Sequence, residues 1–403
     1  MPDHTVSFSE LVADGQLEIG AGRPRSVDLD GFGLPILRVA DVLDGKIDSS
    51  FPDAPRVYRE EMGPKVSKPG DIVLTAKGTV GRVAMVRPDG PLFAYSPQLC
   101  YFRPSVDGPL EPRFLYYWFK SAAFWNQADA LKGQTDMADF LSLGDVFSLK
   151  VRMPNQTRQV GVAEVLGALD DKITVNERIA ATYEQLLQCR YTELGLAEEP
   201  NLETAVAITD LVAFNPKLAK PAVDEPVYVD MAALQTHLAS IPTWTRRAPK
   251  SGPRFMNGDT LLARITPCLE NGKTGYVDFM MDGEIGLGST EFIVMRSVAG
   301  VPSEISYFLA RDNRFRAHAI RNMVGTSGRQ RVSAADAANY QVNRPDTDAL
   351  ASFGEEASAV FAHMKSVQAE NRTLAALRDT LLPQLMSGRL RVKDAEKIVE
   401  DAT

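Results

Sequence analysis

Cysteine and histidine are scarce in these 403 residues, three of the first and four of the second. Cys100, Cys189 and Cys268 stand far apart without ligand spacing, which excludes a zinc ribbon or a disulfide framework and fits a reducing compartment. His4, His237, His318 and His363 are equally scattered and support no metal site. No apolar run approaches the length that crosses a bilayer, and no charged-then-apolar leader opens the chain. The expectation is a cytoplasmic protein without a membrane partner. The formal net charge is -8, which counts against a simple nucleic-acid coat, usually basic overall. It does not exclude a local basic surface, because acidic residues gather at Glu193 to Glu203 and Asp394 to Asp401 while basic residues gather elsewhere.

Catalytic motifs are also wanting. Asn271-Gly-Lys-Thr looks like the end of a phosphate-binding loop, but Pro267 stands where its first glycine belongs, and the following Tyr276-Val-Asp-Phe reads as strand rather than helix. Gly31-Phe-Gly33 lacks a third glycine. Pro52-Asp53 has no matching Glu-x-Lys, since Glu61 and Lys65 are four apart rather than the two that set neighbouring side chains on one strand face. No Asn-Pro-Pro-aromatic or Asp-Pro-Pro-aromatic motif of the amino-methyltransferases is present, and no Ser–His–Asp or Cys–His set stands out. The chain reads as non-catalytic, with no cofactor of its own.

What is there is said twice. Gly70-Asp-Ile-Val-Leu has a counterpart in Gly258-Asp-Thr-Leu-Leu, each opening a β-rich stretch that ends in a long helical one. In residues 1–155, strand candidates at Asp71–Ala76, Gly81–Val86 and Gln98–Arg103 precede an aromatic helix over Pro112–Asn126, a polar turn from Gly133, and a strand ending at Met153. Residues 197–346 repeat that order. Strands open at Gly258, Gly275 and Ser289, a helix runs from Ser303 to Arg316, a polar turn covers Gly325–Arg331, and a strand closes at Tyr340–Pro345.

Residues 156–196 and 347–390 show helical periodicity. Leu166, Leu169, Ile173, Asn176, Ala180, Tyr183, Leu187, Arg190 and Leu194 form one stripe. Val360, Met364, Val367, Asn371, Leu374, Arg378, Leu381 and Leu385 form the other. Alternation by three and four is the seam of helices packed at a shallow angle, and an asparagine in each seam fixes register. Mutual antiparallel pairing is expected, with Leu169, Ile173, Asn176, Leu187, Met364, Asn371, Leu374 and Leu381 as packing residues. A helix of about 38 residues within each stretch would span roughly 55–60 Å at 1.5 Å per residue. Pro383 should bend or end the second. Residues 391–403 read as an acidic tail. The expected fold is α+β: two mixed α/β domains, a pseudo-two-fold repeat, separated by an antiparallel pair of long helices.

Basic and polar clusters fall at matching places. Lys65, Lys68, Lys77, Arg82 and Arg87 surround Thr79, with Gln98, Gln134 and Thr135 nearby in the repeat. In the second unit Arg311, Arg314, Arg316 and Arg321 lead to Thr326, Ser327, Arg329, Gln330 and Arg331. Arg264, Asn271 and Lys273 match Lys77 to Arg82 in position, and Trp244, Arg246, Arg247, Lys250 and Arg254 form another basic run. Arginine can pair with guanine and glutamine with adenine, while lysine and backbone amides suit phosphates. The opposing reading of any one cluster is a solvated face.

Taken in order, these segments resemble a specificity subunit of a type I restriction–modification system over nearly the whole chain. The resemblance rests on Leu17-Glu-Ile-Gly-Ala-Gly, Leu37-Arg-Val-Ala-Asp-Val and Pro69-Gly-Asp-Ile-Val-Leu-Thr in the first unit. Phe214-Asn-Pro, Tyr228-Val-Asp-Met, Gly258-Asp-Thr-Leu-Leu-Ala-Arg and Ser289-Thr-Glu-Phe-Ile-Val-Met-Arg carry it in the second. Leu169-Asp-Asp-Lys-Ile-Thr-Val-Asn and Leu381-Leu-Pro-Gln-Leu-Met-Ser-Gly-Arg-Leu carry it in the helices. It implies two target recognition domains, each reading half of a split sequence in double-stranded DNA, with helices that set the gap and dock two modification subunits. It also implies that S-adenosylmethionine, ATP and Mg belong to partner subunits, with restriction or translocase subunits where present. The reading from a different class is a protein-binding scaffold organised by its long helices.

Overall fold

A computed structural model describes residues 4–22, 32–51, 54–58, 65–134, 139–201, 203–248, 251–326 and 328–402. Two compact units emerge: residues 1–172 with 374–403, and residues 173–373. Each combines a mixed α/β domain with parts of both long helices.

In the first unit a four-stranded antiparallel sheet runs in the order Leu17–Ala21, Leu99–Pro104, Ile72–Thr75, Val83–Met85. Ile72 to Thr75 are all buried, which suits an inner strand covered on both faces. The Gly-Asp motif now has a cause. Gly70 takes a positive φ of 85° to turn the chain into the strand. Asp71, fully buried, accepts from Arg103 Nε at 2.6 Å and Nη2 at 2.7 Å, from Tyr95 Oη at 2.6 Å and from the Lys68 amide at 2.8 Å. A buried carboxylate needs this many donors. Phe8, Phe102, Trp118, Phe119 and Phe124 pack ring against ring beside the sheet in edge-to-face and tilted pairs.

The second unit repeats the sheet strand for strand: Val212–Phe214, Phe292–Ser297, Thr260–Ala263, Thr274–Tyr276. Gly258 has φ 86°, and buried Asp259 accepts from Arg296 at 2.6 and 2.7 Å and from the Met256 amide at 2.8 Å. Burial raises the Asp259 carboxyl from its ordinary value, and Arg296 acts against that. Asn215 of the Phe214-Asn-Pro string sits at φ 49° and exchanges bonds with Val294, its amide donating at 2.7 Å and its side-chain oxygen accepting at 2.9 Å. The first and last strands of each domain close on each other, His4–Ser7 with Lys150–Met153 and Ala205–Ala207 with Gln341–Asn343.

The single aromatic helix expected in each domain is two helices. Pro112–Phe119 breaks before Ala122–Leu131, where Ser121 turns extended and its hydroxyl caps the Trp118 carbonyl at 2.7 Å. Glu304–Arg311 breaks before Asn313–Arg321, where the Asp312 carboxylate accepts from the amides of Arg314 and Phe315.

The long helices are Gln156–Glu193, 38 residues, and Thr347–Ser387, 41 residues. Asn155 caps the first through the Arg158 amide, and Asp346 caps the second through the amides of Asp348 and Ala349. Each cap follows a proline that ends the preceding strand segment. In each unit the two helices touch and run antiparallel. In the second unit Arg190 pairs with Glu356 at 3.1 Å, and buried Asn176 donates to Asn371 at 2.8 Å and Glu370 at 2.7 Å. Leu187 and Met364 are buried there and Ile173 is half-buried. In the first unit Arg378 donates to Asp170 at 2.6 Å and Arg158 to the Leu385 carbonyl at 3.2 Å, with Leu169, Leu374 and Leu381 buried.

Two C-terminal segments are more regular than the sequence indicates. Pro383 lies inside a helix that continues to Ser387. It removes the backbone bond to the Asp379 carbonyl, and buried Leu381 and Leu385 hold the turn. The acidic tail is a helix, Val392–Ala402, with Ala395 buried and Val392 so close over Gly161 that a Cβ there would stand 2.8 Å away.

Candidate nucleic-acid interface

Three segments meet at one node in each unit, held by the same backbone bonds. In the first unit the Ala76 amide donates to the Gln98 carbonyl at 3.0 Å, and the Leu141 amide to the Ala76 carbonyl at 2.8 Å. Lys77 bridges Phe140, which pairs with Gly133. In the second the Arg264 amide donates to the Glu291 carbonyl at 3.0 Å, and the Val332 amide to the Arg264 carbonyl at 3.0 Å. Ile265 bridges Arg331, which pairs with Val324. The backbone thus equates Ala76 with Arg264, Gln98 with Glu291, and Phe140 with Arg331. The matched segments are those the sequence pairs, but Arg264 stands opposite Ala76 rather than Lys77. A slip of one residue in a strand moves a side chain to the other face, so this register matters.

The second node is charged. Arg331 Nε donates to Glu291 at 3.0 and 2.8 Å, and its Nη2 donates at 2.6 Å. Arg331 holds the Glu291 carboxyl below the usual range. Arg264 Nε is buried with no hydrogen-bond partner among the described residues, an omission that costs about 1–3 kcal/mol for a polar group. Gln330 is half-buried, its amide donating to Thr266 Oγ1 and its carbonyl accepting from the Thr266 amide, both at 3.0 Å. Thr326 and Arg329 are exposed; Ser327 lies outside the described residues.

The first node is apolar and amide-bearing. The Phe140 ring lies over Gly133, where a Cβ would stand 2.6 Å from its Cζ. Lys77, Thr79 and Gln98 are exposed around it, and the Gly78 amide donates to the Asp139 carbonyl at 3.2 Å. Gln134 pairs with Asp139 through its backbone, and Thr135 lies outside the described residues. Arg82 is half-buried and donates to the Val42 carbonyl at 3.3 Å.

Other sequence candidates sit elsewhere or already have partners. Lys273 donates to the Met231 carbonyl at 2.9 Å, while Asn271 is exposed. Arg246 pairs with Glu284 at 2.7 Å, and Arg247 lies 3.5 Å over the Tyr228 ring, both beside the separate Val227–Val229 sheet. Of the arginine run, Arg311 donates to the Thr236 carbonyl, Arg314 to Glu199 at 2.8 Å and Arg316 to Asn313 at 3.0 Å. Glu291 was missed by the charge count because a lone acid in a basic neighbourhood carries no motif; its place in the Ser289-Thr-Glu string was the available signal. Among the described residues no group of three or more His, Cys, Asp or Glu is placed to hold a metal, and no helix is long and apolar enough to cross a membrane.

A search against protein-family models finds no match. The chain is 24% identical over 205 residues to the type I restriction enzyme EcoEI specificity subunit of Escherichia coli, covering 49% of this chain and 34% of that protein. It is 29% identical over 133 residues to the EcoAI specificity subunit of Escherichia coli, covering 31% of this chain and 22% of that protein. The matched stretches thus span about a third or less of those relatives' lengths. In structure it is similar to the S subunit of the type I restriction–modification system from M. genitalium, with a TM-score of 0.53, 13% identity and 96% of each chain covered. The chain has the fold of a type I restriction–modification specificity subunit, and it shares sequence similarity with two proteins of that name.

Proposed function

We propose that the chain is the DNA-reading subunit of a type I restriction–modification complex. Each domain reads one half of a bipartite site in double-stranded DNA through its node, and the helix pair sets the unread gap and docks two modification subunits. The observation that carries this reading is the pair of nodes. One backbone scaffold occurs twice and presents different side chains at equivalent places, as two readers of different half-sites require. Exposed cations such as Lys77 and Arg329 suit phosphates, and the node side chains suit base edges. Adenine methylation with S-adenosylmethionine, and ATP- and Mg-dependent translocation or cleavage, belong in this account to partner subunits.

The ruler is testable. Deleting one heptad from each long helix removes about 10 Å at 1.5 Å per residue. The unread gap should shorten by about 3 base pairs of 3.4 Å, with both half-sites unchanged. An unaltered gap in methylation mapping of the deletion strain removes the helices from that role.

A further inference from the structure

A base reader needs hydrogen-bonding edges that are fixed before the base arrives, and the second node supplies one. We infer that Arg331, held by Glu291, reads a guanine in the second half-site. The inference rests on the proposed DNA-reading function and adds the base and the residue that takes it.

A guanidinium carries five N–H donors on two usable edges. Glu291 occupies the edge formed by Nε and Nη2. The opposite edge, Nη1 with the second Nη2 hydrogen, meets no acceptor among the described residues. It presents two parallel donors, which match the O6 and N7 acceptors of guanine in the major groove. Adenine sets a donor against one of them, so it is rejected. Arg331 is 38% exposed and Glu291 24%, so the pair lies at the surface yet is held in one geometry. Its backbone is pinned on both sides, by Val324 and by Ile265. Arg264 adds cationic charge and the unpartnered Nε at the same node. The first node has Phe140 and Gln98 at these places and no guanidinium, so the preference belongs to one half-site only.

The experiment is methylation mapping in the host strain carrying the full wild-type chain, Arg331→Gln or Arg331→Lys. The wild type should show a split site with at least one G·C pair in the half-site assigned to the second domain. Arg331→Gln should lower the preference for guanine at one position of that half-site by about 5- to 150-fold and admit adenine there, with the first half-site intact. Three results overturn the inference: a second half-site without guanine, unchanged preferences in Arg331→Gln, or an equal loss of preference in both half-sites. Arg331→Lys, which still offers donors to O6 and N7, should keep a guanine preference; if methylation disappears altogether in Arg331→Gln, competition binding of the Arg331→Gln complex to duplexes that differ only at that base pair decides, an undiminished guanine preference overturning the inference and a diminished one supporting it. Absence of any split site in the wild type strikes instead at the DNA-reading function beneath it.

Discussion

Removing Arg296 tests the repeated scaffold most sharply. Asp259 is fully buried and takes two charge-assisted bonds from Arg296 at 2.6 and 2.7 Å, plus one from the Met256 amide. Arg296→Met keeps the aliphatic length and removes both charged bonds, leaving a buried carboxylate with a single amide. Breaking a buried pair from one side costs about 3–5 kcal/mol. Arg296 is itself 26% exposed, so water can reach its side of the gap and the lower half of that range is expected. At about 2–4 °C per kcal/mol for a domain of this size, the thermal midpoint should fall by roughly 6–16 °C. The double variant Asp259→Asn with Arg296→Met removes the stranded charge and should recover part of the loss, a coupling measurable by denaturant titration. An Arg296→Met midpoint within a degree or two of wild type would refute the reasoning. So would a double variant no more stable than the single one.

Three further outcomes follow from the same geometry. Asn176→Ala removes the bonds to Asn371 at 2.8 Å and Glu370 at 2.7 Å across the helix pair, and unfolding measurements should show a loss of about 1–2 kcal/mol; no loss would mean the asparagines do not hold register. Burial raises the Glu184 carboxyl, against the bonds from Tyr307 and the Ala239 amide and the nearby Arg311, so the folded chain holds that proton more tightly than the unfolded one. Stability from it is complete below the ordinary glutamate range and is lost as pH rises through the raised value. Glu184→Gln should flatten that decline in midpoint-against-pH curves, and an unchanged slope would contradict the assignment. Arg329→Ala should weaken DNA binding evenly across sequences and reduce the logarithmic salt slope by about one. Salt-insensitive binding by both proteins would favour the scaffold reading.

Element order and the helix pair were legible because periodicity and repeated Gly-Asp turns are local signals. The breaks at Ser121 and Asp312 were not, since the apolar pattern continues across them and only capping bonds stop each helix. The Gly-Asp motif was visible, but its partners Arg103 and Arg296 lie 32 and 37 residues away and are joined only by the sheet. Basic runs mislead for the same reason: Arg314 and Lys273 look like Arg329 in sequence, yet the first two bind the chain's own oxygens. The candidate node needed the fold, because equating Gln98 with Glu291 and Phe140 with Arg331 depends on backbone register rather than on likeness of residues.

The most direct measurement is the genome-wide pattern of methylated adenines with and without this chain. Two fixed half-sites separated by a constant unread gap, present only when the chain is present, are what twin readers on one strut should produce. A continuous motif, or a pattern indifferent to the chain, would contradict the account.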